Sequence, residues 1–379
     1  MSIWDQLVGQ APVVDVLTEA IQSTSMTHAW LFTGPPGSGR SVAAKAFAAA
    51  LQCPDHGCGV CESCTIAQAG SHPDIGVLNT QGLSIGVDTA REYVRRAALH
   101  PARGRWQILI IEDADRLTEQ AGNALLKSLE EPPARTVWML CAPSAEDVIV
   151  TIRSRCRTVG LRTPSTDAVA DLLVSRDGVD RQTARHSAAA ASGHIGRARA
   201  LATDEDVRAR RREVLMLPGR LTDLGACVNA ASTVAETAKN GAQDTAQAME
   251  SHELDELRQA WGVQDRGRRP AGYAGARSEL EKEHKRRRTR LQRDAIDYVL
   301  LDLMSFWRDV LMIQLGSTDV ELINADAAEE IDRLARLGTR ESTLGTIDAI
   351  VQCRQALASN AAVQLALERL MIAMMQSAT

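Results

Sequence analysis

A glycine-rich loop between an apolar run and an alanine-rich run constrains this chain most. Residues 29–33 are apolar enough for a buried parallel strand, and residues 42–51 have helical composition without a breaker. The loop between them, residues 34–41, reads Gly-Pro-Pro-Gly-Ser-Gly-Arg-Ser. Strand, glycine turn and helix in this order are typical of a phosphate-binding loop, where backbone N–H groups at a helix N-terminus surround the phosphates. The sequence therefore predicts a P-loop domain.

One position in this loop departs from the usual pattern, because Arg40 stands where a lysine normally reaches the terminal phosphates. Arginine is larger, planar and fork-shaped, so the replacement is not neutral. Ser41 is the residue expected to hold Mg²⁺. The substitution leaves open whether the loop still binds ATP with Mg²⁺ or is only an inherited turn. The nucleotide-binding candidates in the loop are Gly34, Gly37, Ser38, Gly39, Arg40 and Ser41.

An acidic pair, Glu112 and Asp113, follows a second apolar run at residues 107–111. Sites that hydrolyse nucleotides in this class usually place Asp first, for the Mg²⁺ shell, and Glu second, for the attacking water. Here the order is reversed, so each side chain differs from the usual one by one methylene. A misplacement of about 1 Å can cost about 10²-fold in rate. We predict little or no turnover; the alternative is that both carboxylates simply end a buried strand.

Four of the eight cysteines are close together in the sequence, in the pattern C-x4-C-x2-C-x2-C. Four thiolates in a short polar loop match a closed tetrahedral Zn²⁺ site, which stabilises a fold and leaves no position for a reacting water. An iron–sulfur cluster or disulfides remain alternatives. The predicted ligands are Cys53, Cys58, Cys61 and Cys64. The other four are predicted to be buried thiols: Cys141, Cys156, Cys227 and Cys353.

The order of apolar runs divides the chain into three predicted domains. Residues 1–163 alternate strand-like and helical runs, which indicates a parallel sheet flanked by helices, with the cysteine insert at 53–64. Residues 164–212 hold short helical segments, as in a small helical lid. Residues 213–379 keep helical spacing without strand patterns, so this part is predicted to be all-α.

Composition excludes some classes of protein and leaves one charged segment. The chain has 379 residues, 45% hydrophobic content and a net charge of −5. No export signal or membrane-length apolar run is present, so we expect a cytoplasmic protein. Residues 266–293 hold 11 Lys and Arg against three Glu, which leaves −13 for the rest. This basic insert could contact DNA phosphates, or it could be a solvated helix or a partly disordered segment.

Six short features occur in an order that resembles a known family. Together they span most of residues 1–200, and chance is an unattractive explanation for six in one order. The sequence resembles the bacterial clamp-loader AAA+ subunits of DNA polymerase III, most closely their delta-prime branch. The features are Val8-Gly9-Gln10, His28 to Phe32, the four-cysteine segment, His72-Pro73-Asp74, Asn123 to Pro133 and Ser154-Arg155-Cys156.

The resemblance implies a role for Arg155 in trans, as an arginine finger that stabilises charge on the γ-phosphate of a neighbouring subunit's ATP. The alternative is a structural arginine paired with a carboxylate. The resemblance also points to zinc in the insert and to a C-terminal helical collar for hetero-oligomerisation. The implied partners are the ATPase subunit gamma/tau and the delta subunit, with the sliding clamp and primed DNA reached through the complex.

Two further departures from ATP-hydrolysing members favour a catalytically quiet subunit. The run 137–141 ends in Ala142-Pro143, which offers no polar side chain to sense a γ-phosphate. Gly196 stands where active members have an arginine, and Arg197 is rotated by about 100° from that position. We therefore expect a scaffold of the DNA polymerase III holoenzyme that assists a neighbour. The alternatives are a competent AAA+ motor or an unrelated metal or redox module.

Overall fold

The computed structural model describes residues 2–23, 26–80, 82, 84–263, 270–317 and 321–377. The chain forms two compact units, Met1–Thr203 and Asp204–Thr379, which we call the N-terminal and C-terminal units. No helix among the described residues is long and apolar enough to cross a membrane. The division into three domains remains a prediction. The predicted lid, residues 164–212, includes the boundary between the two units.

The N-terminal unit is built on a sheet of five parallel strands in the order β2-β3-β4-β1-β5. Each run that the sequence marked as a strand forms one, and the predicted parallel α/β fold is confirmed. The reason is composition, since strands buried on both faces are almost continuously apolar. The strands are β1 (Ala29–Thr33), β2 (Ile75–Leu78), β3 (Gln107–Ile111), β4 (Thr136–Ala142) and β5 (Arg157–Gly160).

Helices cover both faces of this sheet and create two apolar cores. Successive strand residues point to opposite faces, so Phe32 packs in the core that contains Phe47, whereas Leu31 packs in the core that contains Leu125. The helices that precede the last strand are α1 (Ala11–Gln22), α2 (Arg40–Gln52), α3 (Glu62–Gln68), α4 (Val87–Ala97), α5 (Glu119–Glu130) and α6 (Val150–Arg153).

Three short helices complete the N-terminal unit: α7 (Thr166–Asp177), α8 (Arg181–Ala190) and α9 (Ile195–Thr203). Gly178 ends α7 in a left-handed conformation with φ 67°, which glycine adopts without strain. Gly193, with φ 83°, lies in the turn between α8 and α9. Both glycines therefore lie where helices end.

The C-terminal unit is helical throughout the residues that the structure describes. Apolar side chains from its six helices form one core around Trp307, Phe306 and Leu303. Helix α11 runs to Ala260, and its Glu253 and Glu250 pair with Arg287 and Arg288 of α12. The helices are α10 (Glu205–Leu215), α11 (Leu224–Ala260), α12 (Tyr273–Gln314), α13 (Ala328–Leu337), α14 (Arg340–Ala358) and α15 (Val363–Ser377).

A buried polar network in the C-terminal unit has no signal in the sequence. Arg211 Nε donates to Asp302 Oδ1 at 3.0 Å, and its Nη2 donates to Asn324. Asn324 in turn donates from its backbone N and from Nδ2 to Asp309 Oδ2, both at 2.8 Å. Buried charges persist where they are paired and hydrogen-bonded. This network therefore ties α10 to α12 and to the segment before α13.

Asp74, from the His-Pro-Asp stretch, organises the loop before β3. Its buried carboxylate accepts three backbone N–H groups, from Ala102 at 2.6 Å, Arg103 at 2.9 Å and Gly104 at 2.6 Å. Burial alone would raise the pKa of Asp74, but these hydrogen bonds outweigh it and lower the pKa below its ordinary value. Asp74 is thus a structural residue that holds the entry to β3.

Replacing Asp74 with asparagine should destabilise the N-terminal unit by about 1–3 kcal/mol, because the amide cannot accept all three bonds with full charge. A carboxyl group with a lowered folded-state pKa contributes stability above its unfolded pKa of about 3.9, and that stability is lost as pH falls through the folded pKa. Urea unfolding of wild type and Asp74→Asn between pH 7 and pH 3 measures this. The two stabilities should converge at the acid end, and a constant difference would contradict the assignment.

Candidate functional site

The glycine-rich loop lies at the carboxyl end of β1, where open α/β sheets form their ligand sites. Gly39 caps α2 with φ 91°, and the helix begins at Arg40. The Arg40 guanidinium donates from Nη1 to the carbonyl oxygen of Gly34. The side chain that would reach toward a phosphate is therefore bonded to the loop's own backbone. Ser41 follows in the first turn of α2, which begins two residues before the predicted helical run.

Two of the loop glycines are required by protein packing. A Cβ at Gly37 would lie 2.5 Å from His194 Cα, because the turn between α8 and α9 packs against the loop. A Cβ at Gly34 would lie 2.7 Å from the carbonyl oxygen of Leu161. Burial lowers the pKa of His194, with help from the charges of Arg197 and Arg40, so a neutral imidazole rests on the loop. Packing within the protein therefore explains why glycine is needed at positions 34 and 37, without a bound nucleotide.

The buried hydroxyl of Ser38 has no hydrogen-bond partner among the described atoms. The loop is nevertheless well supported, because Gln10 Nε2 donates to the Ser38 carbonyl at 3.2 Å and to the Arg162 carbonyl at 2.6 Å. Gln10 Oε1 accepts from the Arg162 backbone at 3.3 Å. The sequence marked Gln10 only as part of a family-like stretch. Its structural role is to join the start of α1, the loop and the segment after β5.

The acidic pair follows β3, as the sequence predicts. Glu112 is buried, and its Oε1 lies 2.7 Å from Lys45 Nζ on α2. Burial raises the pKa of the Cys141 thiol on β4 to about 12, and the Glu112 carboxylate adds to this rise. Arg40 and Lys45 act in the opposite direction on the same thiol. Glu112 is thus engaged with a lysine of the domain itself.

The sensor positions are as non-polar as the sequence predicts. Strand β4 ends at Ala142, and the next residue, Pro143, accepts the backbone N–H of Gly34 at 3.1 Å. Arg197 is buried in α9. Gly196 has no side chain. Ala142, Pro143 and Gly196 therefore offer only backbone groups and packing, and the charge of Arg197 acts on His194.

The four clustered cysteines converge on one point. Their Sγ atoms all lie within 4.8 Å of one another, and this group could hold a metal ion. Cys53 Sγ is 3.7 Å from Cys58 Sγ and 3.6 Å from Cys61 Sγ. A tetrahedral site with Zn–S bonds of about 2.3 Å has edges of about 3.8 Å, which matches these separations. The thiols are free, so no disulfide is present.

Tight turns with positive φ make this convergence possible, at His56 (57°), Gly57 (110°) and Gly59 (77°). Backbone N–H groups donate to sulfur, from Cys58 to Cys53 Sγ at 3.5 Å and from Cys61 to Cys58 Sγ at 3.4 Å. Burial opposes ionisation of Cys53, but hydrogen bonds from the backbone of Cys58, Gly57 and Asp55 outweigh it and lower the pKa to about 7. These hydrogen bonds stabilise the thiolate of Cys53, the form that binds metal, whereas burial raises the pKa of the Cys64 thiol.

Arg155 lies just after α6, with its side chain 33% exposed. Its Nε donates to Glu130 Oε1 at 2.7 Å, and Nη2 contacts the same oxygen. Its Nη1 donates to the carbonyl of Thr151 at 2.7 Å and to Ser154 Oγ at 3.2 Å. Glu130 ends α5, inside the family-like stretch 123–133. The guanidinium is thus held at the surface by a carboxylate, and it remains accessible.

Two family models match this chain. One, described as DNA polymerase III, delta subunit, matches residues 9–165, and the other, the C-terminal part of that subunit, matches residues 291–376. The delta' subunit of Bacillus subtilis is 27% identical over 96% of this chain and 95% of its own length. The chain belongs to the DNA polymerase III delta' family. The Arg155 segment and the cysteine loop lie within the first matched range.

Two further relatives match a shorter part of the chain. The delta' subunit of Haemophilus influenzae is 34% identical, and the match spans 45% of this chain and about half (54%) of that protein. The gamma/tau subunit of Mycobacterium bovis is 36% identical over 40% of this chain and 27% of its own length. A solved gamma-subunit-related protein of Thermotoga maritima covers 97% of this chain and 99% of its own, with 16% identity and a TM-score of 0.42.

Proposed function

We propose that this chain is a delta' subunit of the DNA polymerase III clamp loader, acting as a catalytically quiet AAA+ scaffold. In this role it helps to load the sliding clamp on primed DNA and donates Arg155 to the ATP site of a neighbouring subunit. The near full-length match to a delta' relative carries the proposal. The partners that follow are the gamma/tau ATPase and delta subunits, and the place of action is the cytoplasm.

The contacts of the charged side chains around the glycine-rich loop support the proposal that this site does not hydrolyse ATP. Arg40 is bonded to the Gly34 carbonyl, and Glu112 is paired with Lys45. Catalysis of phosphoryl transfer depends on cations and carboxylates aimed at the reacting phosphate. In this domain those groups are committed to contacts within the fold. Nucleotide binding without turnover is compatible with the proposal.

Donation in trans is supported by the position of Arg155. A finger must reach a neighbour, so it has to be at the surface and held in a defined direction. The contacts with Glu130 and Thr151 fix the guanidinium, and its partial exposure leaves donors available. The structural alternative, an arginine paired with a carboxylate, describes the same contact in the isolated chain. Only an assembly distinguishes the two roles.

The metal at the cysteine loop is proposed to be Zn²⁺ in a structural role. The four ligands are Cys53, Cys58, Cys61 and Cys64, and an all-sulfur tetrahedral donor set fits zinc. With four protein ligands the ion would have no open position for substrate. Bound zinc would cross-link the insert and stabilise α3.

Purified chain should hydrolyse ATP no faster than a variant that lacks the acidic residue Asp113. Because Arg40 and Glu112 are committed within the domain, Asp113→Ala should leave the low basal rate unchanged. Phosphate release at saturating ATP and Mg²⁺ measures both, and a clamp-loader ATPase subunit serves as the positive control. A rate typical of an AAA+ motor that falls at least tenfold in Asp113→Ala would instead establish the competent-motor alternative.

A further inference from the structure

A row of basic side chains occupies one face of α12 near its start. Lys282, Lys285, Arg286 and Arg290 lie on the same side of the helix, by its period of about 3.6 residues per turn. We call these four residues the basic stripe. Lys282, Lys285 and Arg286 are exposed, and Arg290 is half-buried. The stripe lies outside both matched family ranges, which end at 165 and resume at 291.

The opposite face of the same helix is neutralised by α11. His284 Nε2 lies 2.8 Å from Glu253 Oε2, and Arg287 Nη2 donates to Glu253 Oε1 at 2.7 Å. Arg288 Nε lies 3.5 Å from Glu250 Oε1. The carboxylates of α11 are therefore directed at the inner basic residues. They hold the two helices together and leave the stripe's charge for another partner.

Neutralisation of the stripe itself is slight. Lys282 Nζ lies 3.0 Å from Glu279 Oε2, and Arg290 Nε lies 3.7 Å from Asp294 Oδ2. Both pairs join residues of one helix, and the Lys282 pair is exposed, so these pairs contribute little and yield readily to a stronger anion. The side chains of Lys285 and Arg286 make no ion pair or hydrogen bond with the described part of the chain. A ligand that covers the side chains of Lys285 and Arg286 would therefore break no existing contact.

The chemistry of this face fits phosphate better than protein. Protein interfaces are anchored by aromatic and apolar side chains and are poor in lysine. The stripe face has no large apolar residue, and its other members include Ser278, Thr289 and one acidic residue, Glu279. Surfaces that bind nucleic acid are polar and strongly positive. The rest of the chain carries net negative charge, so attraction of a polyanion would be confined to this helix.

Spacing also suits a nucleic-acid backbone. The stripe extends from Lys282 to Arg290, which is about 12 Å along a helix that rises about 1.5 Å per residue. Duplex DNA carries one charge per about 1.7 Å of its axis. We propose that the basic stripe binds the phosphate backbone of nucleic acid without base specificity. This contact is separate from the role of Arg155, because it requires neither ATP nor a partner subunit.

Fluorescence anisotropy of the purified full chain with labelled 20-base-pair duplex and with single strand of the same sequence tests the proposal between 50 and 200 mM NaCl. In the variant Lys282→Gln/Lys285→Gln/Arg286→Gln/Arg290→Gln we expect duplex affinity at 50 mM to fall at least tenfold. The slope of log K against log salt should become shallower by about 3.6, at about 0.9 for each of the four lost phosphate contacts. Comparison of the duplex and single-strand affinities shows which form of nucleic acid is preferred.

A control variant removes four exposed positive charges elsewhere in the C-terminal unit, with Lys239, Arg333, Arg336 and Arg340 each changed to Gln. It should bind like wild type. A smaller variant, Lys285→Gln/Arg286→Gln, should lose about half of the slope change, and it covers the case in which the larger one misfolds by circular dichroism. The proposal is overturned if wild type does not bind at 50 mM salt, if stripe and control variants weaken equally, or if polyglutamate is bound as tightly as duplex.

Discussion

Replacing Arg155 with alanine is expected to lower the DNA-stimulated ATPase rate of the reconstituted clamp loader by about 10³-fold at the site that it serves. The physical reason is charge. A guanidinium inserted beside a transferring phosphoryl group stabilises negative charge that water and neutral side chains cannot match. The measurement is single-turnover ATP hydrolysis by the assembly, with only this subunit altered. Size-exclusion chromatography should show that the subunits still associate as in the wild-type assembly.

Controls for the Arg155 prediction come from its neighbours. Arg153 is the last residue of α6, and its Nη1 lies 3.8 Å from Glu146 Oε1 and 3.5 Å from the Ala145 carbonyl oxygen, so Arg153→Ala should have little effect. Glu130→Gln keeps the shape of the residue that holds Arg155 but removes its charge. We expect a partial loss in that variant, because the finger would be less well directed. A full rate in Arg155→Ala assemblies would remove the trans role.

Replacing Cys64 with serine is expected to abolish stoichiometric metal binding and to unfold the cysteine insert. Structural zinc sites contribute folding energy directly, and a three-cysteine remnant holds the ion far more weakly. A loss of several kcal/mol corresponds to a fall in Tm of about 10–20 °C, at about 2–4 °C per kcal/mol for a unit of this size. Inductively coupled plasma analysis gives metal content, and calorimetry gives Tm. Chelator treatment of wild type should reproduce both changes.

A cysteine outside the cluster provides the matched control. Cys353 is buried in α14, and burial raises the pKa of its thiol to about 11. It is chemically the same side chain but has no metal-ligand neighbours among the described residues. Cys353→Ala should keep full metal content and lose little stability. Metal that stays bound one to one in Cys64→Ser would contradict the assignment of the four ligands.

Local signals in the sequence were sufficient for the elements and for two of the sites. The strands are short continuous apolar runs, so β1 begins and ends where composition predicts. The cysteine cluster could be found because its ligands are within twelve residues and share turn-forming neighbours. The loop of Gly34 to Ser41 was found by glycine spacing. In each case the structural cause lies close along the chain.

Contacts between distant parts of the chain could not be predicted. Glu130 holds Arg155, and His194 packs on Gly37, but no sequence pattern marks either pair. The pairing of Glu253 in α11 with His284 and Arg287 of α12 likewise has no sequence pattern that marks it. Such contacts depend on how the sheet and helices pack, which a single sequence specifies only as a whole.

The start of the chain is fastened to the cysteine loop. Ile3 N donates to the Gly57 carbonyl at 3.1 Å, and Ser2 Oγ donates to the same oxygen at 3.1 Å. An affinity tag or a cleavage remnant joined ahead of Ser2 would therefore disturb the turn at Gly57. This turn helps to position the cysteine thiols, which must remain reduced to bind metal. Preparations that carry such an extension should be assayed for bound zinc before any defect in assembly is attributed to the protein itself.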